Sequence, residues 1–538
     1  MLLRTFFGFV ITLTTAGSYA ATDFATLLAG DTPQVQVAGE TIWSTPILRQ
    51  LYADPDHAPH WSATQLEVLR RAVAESFSDG LDPHDFLAER LNDLDTLPSA
   101  MAQVLASEAL ARLAFTLRFG KCNPEALDAD WNYSRSFGKT DPLVWLRDAI
   151  VSDKLAERLA ALRPSDKHYR ALVQALANYR VLKERGVEWP TVTAGPSLKP
   201  DMTDPRIAQV RMRLAATGEW RDDGKQSDER VFDADLVDAV RGFQSRQGLD
   251  VDGAVGRATV AAMNVSVAAR IAQLRVNLER VRWVFRDLEA EAISVNIAAF
   301  EAQYLDHGQV RWSGRVIVGK PFRQTPIFKD RLSYVELNPS WTVPPTILRE
   351  DILPKLRVDS GYLAKKKLRL IDFNGAPVDA SKINWRTTAG GFPYFLRQEG
   401  GPENPLGRVA FMFPNVHAVY LHDTPTRGLF QQAERAFSSG CIRIENPLKL
   451  AEVVLRDDPH WDQTTLEKAV AKGKNQRINL PRKITIMLLY LTAFPAQDGT
   501  VQFRRDVYGR DPAVLAALES QLRWAPPKDF QMPVGHGI

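Results

Sequence analysis

The chain has 538 residues, of which 45% are hydrophobic and 24% charged, a globular composition long enough for several domains. Lysine and arginine total 67 against 64 acidic residues. This balance excludes a polyacidic solubiliser and argues against a dedicated nucleic-acid coat, so we expect no nucleic-acid partner. Two cysteines are too few for a disulfide framework or for a multi-cysteine zinc or iron–sulfur site.

The first 20 residues carry the features of a secretory signal peptide. Arg4 precedes a short apolar stretch over residues 6–13, and the small residues Ser18 and Ala20 fit cleavage before Ala21. The stretch is short for a membrane span, which takes about 20 residues. We therefore expect an exported protein with no integral span in its mature chain, or a membrane-associated one if the segment stays uncleaved.

Helical periodicity dominates residues 43–186. Apolar residues recur at helical spacing over residues 101–115 and again over residues 169–182. A proline-containing stretch, residues 189–200, then reads as a linker between domains. Nothing in this helical region indicates catalysis, so we predict a scaffold.

A compact unit follows over residues 203–265. Apolar residues at helical spacing alternate with turn signals, which include Gly248, the Asp252–Gly253 pair and Gly256. This stretch resembles the type 1 peptidoglycan-binding domain, a small three-helix module. The alternative is a helical spacer whose turns match by coincidence, and resemblance of fold does not by itself establish wall binding.

From about residue 293 the apolar residues alternate as they do in β-strands. The predicted strands are Val295–Ile297, Val310–Trp312, Val316–Val318, Tyr334–Leu337, Val409–Phe413, Ala418–His422 and Ile484–Leu491. Residues 346–370 are instead basic and helical, with Lys365, Lys366 and Lys367 in a row. We predict an insertion that covers the sheet as a lid; the alternative is a solvated lysine face without function.

The strongest chemical signal lies within this strand-rich region. His422 ends a predicted strand, and Cys441 comes 19 positions later, after a predicted short helix over residues 429–435. A free thiol has a pKa of about 8.5, so a nearby imidazole is needed to take its proton at neutral pH. Gly440 removes a side chain beside the sulfur, and backbone N–H groups around Gly440 and Cys441 could hold a developing oxyanion. Arg443, predicted on the same side as Cys441, could pair with a substrate carboxylate.

Each of these residues also has a simpler explanation. A lone cysteine is more often a small buried hydrophobic residue than a nucleophile. Cys122 has no base nearby in the sequence, and we predict a structural role for it. A disulfide between Cys122 and Cys441 would abolish the thiolate. A papain-like peptidase is disfavoured, because that family places its cysteine early and its histidine far downstream.

These residues resemble the L,D-transpeptidases of the YkuD type. That family has a histidine followed by a Ser/Thr-His-Gly-Cys motif, an apolar residue, and Asn or Arg. Ser438, Gly440 and Cys441 match the motif, whereas Ser439 stands where many members have a second histidine. The large Gram-negative, YcbB-like branch commonly has Ser-Ser-Gly-Cys, and the departure therefore points to that branch and to a periplasmic location. Similarity to the branch extends over residues 338–345, 401–407 and 503–511.

The resemblance implies a role for each matching residue. Cys441 would be the nucleophile, His422 the general base and Gly440 part of the catalytic turn, while the backbone carbonyl of Asp423 would orient the histidine. The residues expected to contact substrate are Arg443, Ser439, Tyr420, Trp341 and Ser438.

The implied reaction is the formation of 3–3 cross-links in peptidoglycan. The cysteine attacks a stem peptide at diaminopimelate, D-alanine leaves, and the amine of a second stem resolves the thioester. This chemistry needs no metal or cofactor, and it would make the thiol a carbapenem target. The alternatives are the same thioester with a lipoprotein, a D-amino acid or water as acceptor, and a non-catalytic wall-binding scaffold. Peptidoglycan stems and glycan strands are the expected partners; protein partners are not predicted.

The predicted architecture is a multidomain α+β protein with a mostly-β catalytic domain. The predicted boundaries are 1–20 for the signal peptide, 21–200 for the helical scaffold, 201–268 for the peptidoglycan-binding domain, 269–288 for a linking helix, 289–512 for the catalytic domain with its insertion at 346–400, and 513–538 for the tail.

Overall fold

The computed structural model describes residues 23–135, 140–186, 189–221, 228–285, 289–359, 361–385 and 392–523. The predicted signal peptide at residues 1–20 lies outside these ranges, as does the end of the predicted tail. A helical region, a three-helix module and a mostly-β region follow one another along the chain, so the predicted α+β class is confirmed.

The N-terminal region is built from helices around its own apolar core. Its elements are α1 (Phe24–Leu27), β1 (Val35–Val37), β2 (Glu40–Ile42), α2 (Thr45–Leu51), α3 (Ala63–Glu75), α4 (Ala88–Asn92), α5 (Ser99–Phe119), α6 (Pro124–Leu127), α7 (Pro142–Val151), α8 (Leu155–Ala160) and α9 (Lys167–Glu184), with short 3-10 turns at Pro55–His57, Pro83–Phe86 and Leu94–Thr96. Ser62 and Gln65 form a capping box that starts α3. Helix α5 is long and apolar enough to span a membrane, but most of it is buried inside the protein, as befits a core helix.

The three-helix module consists of α10 (Pro205–Ala216), α11 (Ala234–Gln247) and α12 (Arg257–Met263). Asp204 and Asp233 cap the first two helices through their carboxylates, which accept backbone N–H groups. Gly248, at φ +65°, ends α11 in the left-handed conformation that favours glycine. The turn signals in the sequence therefore mark the ends of helices.

Helix α13 (Val267–Val284) is joined to the scaffold by a buried polar network. Arg282 pairs with Glu279 at 2.8 Å, and both side chains are fully buried. Arg282 also donates to the Asp79 carbonyl and to the Tyr169 hydroxyl, each at 3.0 Å. The backbone N–H of Cys122 donates to the other Glu279 oxygen at 2.7 Å. Such a satisfied network fixes helix α13 against the scaffold.

The C-terminal region contains the strands of the main sheet and those of two smaller sheets, β7-β9-β8 and β15-β16. In chain order the strands are β3 (Glu291–Asn296), β4 (Glu301–Asp306), β5 (Gln309–Gly319), β6 (Lys329–Leu337), β7 (Trp341–Thr342), β8 (Leu368–Ile371), β9 (Phe395–Gln398), β10 (Val409–Met412), β11 (Leu421–His422), β12 (Ala436–Ser438), β13 (Ile442–Ile444), β14 (Gln476–Leu489), β15 (Ala493–Pro495) and β16 (Val501–Phe503). The main sheet has the order β12-β5-β13-β11-β10-β6-β14-β3-β4, and β4 also pairs with β5. The sheet therefore closes into a barrel with β12 at its side.

Several local predictions needed correction. One continuous strand, β5, covers both predicted strands between residues 310 and 318, and β4 was not predicted. The predicted strand over residues 418–422 shortens to β11. A 3-10 turn at Arg427–Gln431 replaces the helix predicted over residues 429–435.

The insertion is a small α/β unit, whereas the sequence predicted a helical one. It contains α14 (Pro345–Ile347), a π-helical turn (Leu348–Ile352), α15 (Leu353–Val358), α16 (Tyr362–Lys365), a 3-10 turn (Ala380–Lys382) and the separate sheet β7-β9-β8. Its apolar residues form a core of their own. Helices α17 (Pro447–Val454), α18 (Gln463–Ala471) and α19 (Asp511–Glu519) complete the C-terminal region.

Candidate active site

Two neighbouring strands bring the predicted catalytic residues to one face of the barrel sheet. Strands β11 and β13 pair in parallel, with Leu421 opposite Ile442 and His422 opposite Arg443. Leu421 and Ile442 are fully buried in the core, and side chains alternate along a strand. His422, Arg443 and, one step earlier, Cys441 therefore lie on the opposite face.

His422 is held by a backbone carbonyl. Its ring Nδ1 lies 2.5 Å from the Asp423 carbonyl oxygen, which can only accept, so Nδ1 carries the ring proton and Nε2 is left with a lone pair. Burial lowers the pKa of His422 to about 3, and the positive charge of Arg443 acts in the same direction. The Asp423 and Pro405 carbonyls oppose this shift, because both favour a protonated ring. The imidazole is therefore neutral at physiological pH.

Cys441 is partly exposed and is not part of a disulfide. Its Sγ lies 3.7 Å from the Ala418 carbonyl oxygen. Among the described residues no hydrogen bond joins this sulfur to the His422 ring. Burial raises the pKa of the Cys441 thiol, while hydrogen bonds from Tyr420 and the charge of Arg443 oppose the rise. In the resting state both the Cys441 thiol and the His422 imidazole are therefore neutral.

The turn that carries Cys441 is held by hydroxyl groups. Gly440 has φ +119°, a backbone conformation that residues other than glycine rarely adopt. The Gly440 N–H donates to Ser438 Oγ at 3.1 Å, and this hydroxyl donates to the Cys441 carbonyl at 2.5 Å. Because the Gly440 N–H is engaged, the expectation that it holds an oxyanion is not supported. The Cys441 N–H has no hydrogen-bond partner within the described ranges, so it is the N–H group of this turn that can still donate to an oxyanion.

Two residues that the sequence did not single out as site residues support this turn from outside. The Thr325 hydroxyl donates to the Gly440 carbonyl at 2.8 Å. The Tyr508 hydroxyl donates to the Gly319 carbonyl at 2.6 Å and accepts the Thr325 N–H at 3.2 Å. Tyr508 lies in the 503–511 stretch that the sequence comparison had already marked, whereas no sequence signal marked Thr325.

The side chain of Asp423 anchors the loop that leads into β10. Its carboxylate accepts the Arg408 N–H at 2.9 Å and is buried. A Cβ on Gly407 would come within 2.5 Å of this side chain, so the close approach requires glycine at position 407. The Asp423 carbonyl faces His422 and its carboxylate faces the loop, so Asp423 holds both the histidine ring and the loop.

The residues predicted to contact substrate divide into two groups. Arg443 is half-buried and lies on the face of Cys441, where Nη1 donates to Thr426 Oγ1 at 3.2 Å and the buried Nε has no partner among the described residues. The Tyr420 ring lies 5.6 Å from the His422 ring. Ser439 is exposed and accepts a hydrogen bond from Arg323.

The second group is engaged in packing. Ser438 is buried and its hydroxyl serves the turn, which disagrees with the predicted substrate contact. Trp341 is half-buried and packs against the core of the insertion. Cys122 is buried among apolar side chains, in agreement with a structural position.

Three families match separate parts of the chain. Residues 290–462 match the family described as "L,D-transpeptidase catalytic domain", residues 46–176 match "Scaffold domain", and residues 203–263 match "Putative peptidoglycan binding domain". A curated relative from Haemophilus influenzae, named "Putative L,D-transpeptidase", is 35% identical over 252 residues, which cover 47% of this chain and 50% of the relative. The chain thus spans about half the length of this relative.

Two solved structures are also similar. The L,D-transpeptidase from Stackebrandtia nassauensis has 13% identity and a TM-score of 0.21, and the match covers 56% of this chain and 96% of that one. An L,D-transpeptidase from Xylanimonas cellulosilytica has 13% identity and a TM-score of 0.17, covering 55% of this chain and 98% of that one.

Proposed function

We propose that this chain, which carries an L,D-transpeptidase catalytic domain over residues 290–462 and a peptidoglycan-binding module, is a cysteine-dependent peptidoglycan L,D-transpeptidase. The observation that carries the proposal is the pairing of β11 with β13, which puts Cys441, His422 and Arg443 on one face. The partial exposure of Cys441 leaves the thiol open to a substrate.

The first step is activation of the thiol. Because Nδ1 donates to the Asp423 carbonyl, Nε2 of His422 is the basic atom. In this step the sulfur leaves the Ala418 carbonyl for the ring, and catalytic hydrogen bonds often tighten only when substrate binds. The proton moves from Sγ to Nε2, and the Asp423 and Pro405 carbonyls stabilise the imidazolium that forms.

The thiolate then attacks the carbonyl at the L-centre of diaminopimelate in a stem peptide. The Cys441 N–H, which is free within the described chain, donates to the oxyanion. The imidazolium returns its proton to the departing amine of D-alanine, and a thioester remains. Arg443 lies on the same face and is suited to bind a carboxylate of the stem.

The second step transfers the acyl group to an amine. The side-chain amine of a second diaminopimelate attacks the thioester, and the bond from the carbonyl carbon to sulfur breaks. His422 takes the amine proton and passes it to the departing sulfur, so Cys441 leaves as the thiol. The product is a 3–3 cross-link, and no metal or cofactor is required. The module at residues 203–263 and the scaffold would hold wall polymer near the cleft, in the periplasm to which the predicted signal peptide would direct the chain.

Muropeptide analysis tests this proposal. The full chain is expressed in a strain that lacks such enzymes, beside Cys441→Ala, and the sacculi are digested and analysed by mass spectrometry. We expect 3–3 cross-linked dimers with the wild type and none with the variant, while both bind isolated sacculi. Lipoprotein-linked, D-amino-acid-exchanged or trimmed stems would instead identify another acceptor, and sacculus binding without any product would indicate a scaffold.

The same thiolate should open a carbapenem ring, because the strained β-lactam carbonyl takes the place of the scissile amide. Intact-mass spectrometry of the purified chain should show one adduct on the wild type and none on Cys441→Ala.

A further inference from the structure

A single arginine joins the insertion to the catalytic turn. Arg323 lies in the loop between β5 and β6, and its guanidinium binds both oxygens of Asp351, Nη1 at 2.6 Å and Nη2 at 3.0 Å. Nη2 also reaches Glu350 at 2.8 Å. On its other side, Nη1 donates to Ser439 Oγ at 3.0 Å. One side chain therefore contacts two parts of the molecule that are far apart in the sequence.

The contact is stronger than a usual surface ion pair. The Arg323 side chain is only 14% exposed, although Glu350 and Asp351 are about 40% exposed. A planar guanidinium that binds both oxygens of one carboxylate has a fixed geometry, which a lysine ammonium cannot reproduce. The pKa of the Asp351 carboxyl is held below its ordinary value chiefly by this arginine, so the pair stays charged at neutral pH.

Each end of the contact belongs to a segment with buried neighbours. Glu350 and Asp351 lie in the π-helical turn, between Leu348 and Ile352, which are buried in the core of the insertion. Irregular turns of this kind often occur at functional sites. Ser439 directly precedes Gly440 and Cys441, so it belongs to the turn that holds the thiol. Movement of the insertion would thus be transmitted to that turn.

We propose that Arg323 is a positioning residue that couples the insertion to the turn carrying Cys441. When Asp351 holds the guanidinium, Nη1 is directed at Ser439 and the turn is fixed; without the arginine, the insertion and the turn move independently. The kinetic consequence rests on the proposed transpeptidase function. A displacement of about 1 Å at a reacting group can cost about a hundredfold in rate.

The test compares Arg323→Ala with Arg349→Ala in the full chain. Arg349 is a matched control, because it also binds the Glu350 carboxylate, at 3.1 Å, and is more exposed than Arg323. Arg349 does not contact Ser439 among the described hydrogen bonds. Hydrogen–deuterium exchange is measured over residues 345–358 and 436–444, and kcat and KM are measured with a purified stem tetrapeptide. For Arg323→Ala we expect faster exchange in both segments, a kcat lower by about ten- to a hundredfold and little change in KM. Arg349→Ala should change neither.

Two further variants separate positioning from a loss of folding. Asp351→Asn keeps the arginine and the size of the side chain, and it should reproduce both effects more weakly. Arg323→Lys keeps the charge but not the fork, and it should not restore kcat. Faster exchange confined to the insertion, or additive effects of Arg323→Ala and Asp351→Asn on kcat, would overturn the proposal. If the wild type makes no cross-links, the proposed function fails, but the exchange of the two segments still decides whether Arg323 couples them.

Discussion

The two cysteines of the chain lie in contrasting surroundings. Cys122 is buried against Trp283 and Val514 at the junction between the scaffold and α13, where its Sγ is 3.9 Å from the Val514 carbonyl. Burial raises its pKa well above the ordinary value, and the negative charge of Glu279 raises it further, although the positive charges of Lys121 and Arg282 oppose the rise. Its surroundings therefore keep it as an inert thiol.

Cys441 is also subject to burial, but its neighbours act in the opposite direction. Tyr420 and the positive charge of Arg443 favour the thiolate, and the sulfur is partly exposed. The comparison shows that burial alone does not distinguish a structural cysteine from a reactive one. Partial exposure of the sulfur and the presence of a base on the same face do.

The substitution with the largest expected effect on the reactivity of Cys441 is the one that removes the base. His422→Ala should lower kcat by about 10²- to 10⁴-fold, since a general base contributes about that much, while sacculus affinity stays the same. His460→Ala is the matched control, because His460 is exposed and bonded to Asp458; its rate should remain that of the wild type. Equal rates for His422→Ala and wild type in a muropeptide assay would remove His422 from the mechanism.

The pH dependence of alkylation sharpens the contrast further. Since the pKa of the Cys441 thiol is raised, the thiolate fraction is small at pH 7 and rises about tenfold per pH unit until the pKa is reached. The iodoacetamide rate at Cys441, followed by peptide mass spectrometry, should rise accordingly from pH 7 to above 8.5, and Cys122 should remain unlabelled until the protein unfolds. A rate at Cys441 that is constant from pH 6 to 8 would instead indicate a resting thiolate–imidazolium pair, in conflict with a His422 pKa of about 3.

The sequence predicts most of the elements with strong periodicity and misses those that depend on tertiary pairing. The long helices α5 and α9 follow from unbroken helical spacing. Strand β4 lacks a β-branched run, and it forms because β3 and β5 pair with its two edges. The strands of the insertion are two to four residues long, too short for a periodic signal.

The site residues, like the secondary-structure elements, can be predicted where their signal is local in the sequence. His422 and Cys441 are 19 positions apart, so their relation is visible in a local motif. Thr325 supports Gly440 from 115 positions away, and a threonine in a loop carries no local sign of that bond. Ser438 matches the motif and is predicted to contact substrate, whereas its hydroxyl is occupied by the turn. A local motif therefore identifies the reacting groups better than the residues that hold them in position.

The smallest of the expected effects concerns the backbone at Gly440. Space is not the constraint, because a Cβ on Gly440 would meet only the Gln324 carbonyl, at an ordinary 3.7 Å. The constraint is φ +119°, which costs a side chain of the L configuration about 1–3 kcal/mol. Gly440→Ala should therefore lower the free energy of unfolding by about that amount and lower kcat by about tenfold, as the turn shifts Cys441 away from His422. Gly428→Ala, at a glycine with open space around it and no left-handed φ, is the control in denaturant unfolding and in the muropeptide assay. If Gly440→Ala matched Gly428→Ala in both measurements, the backbone of the turn would have no part in positioning the thiol.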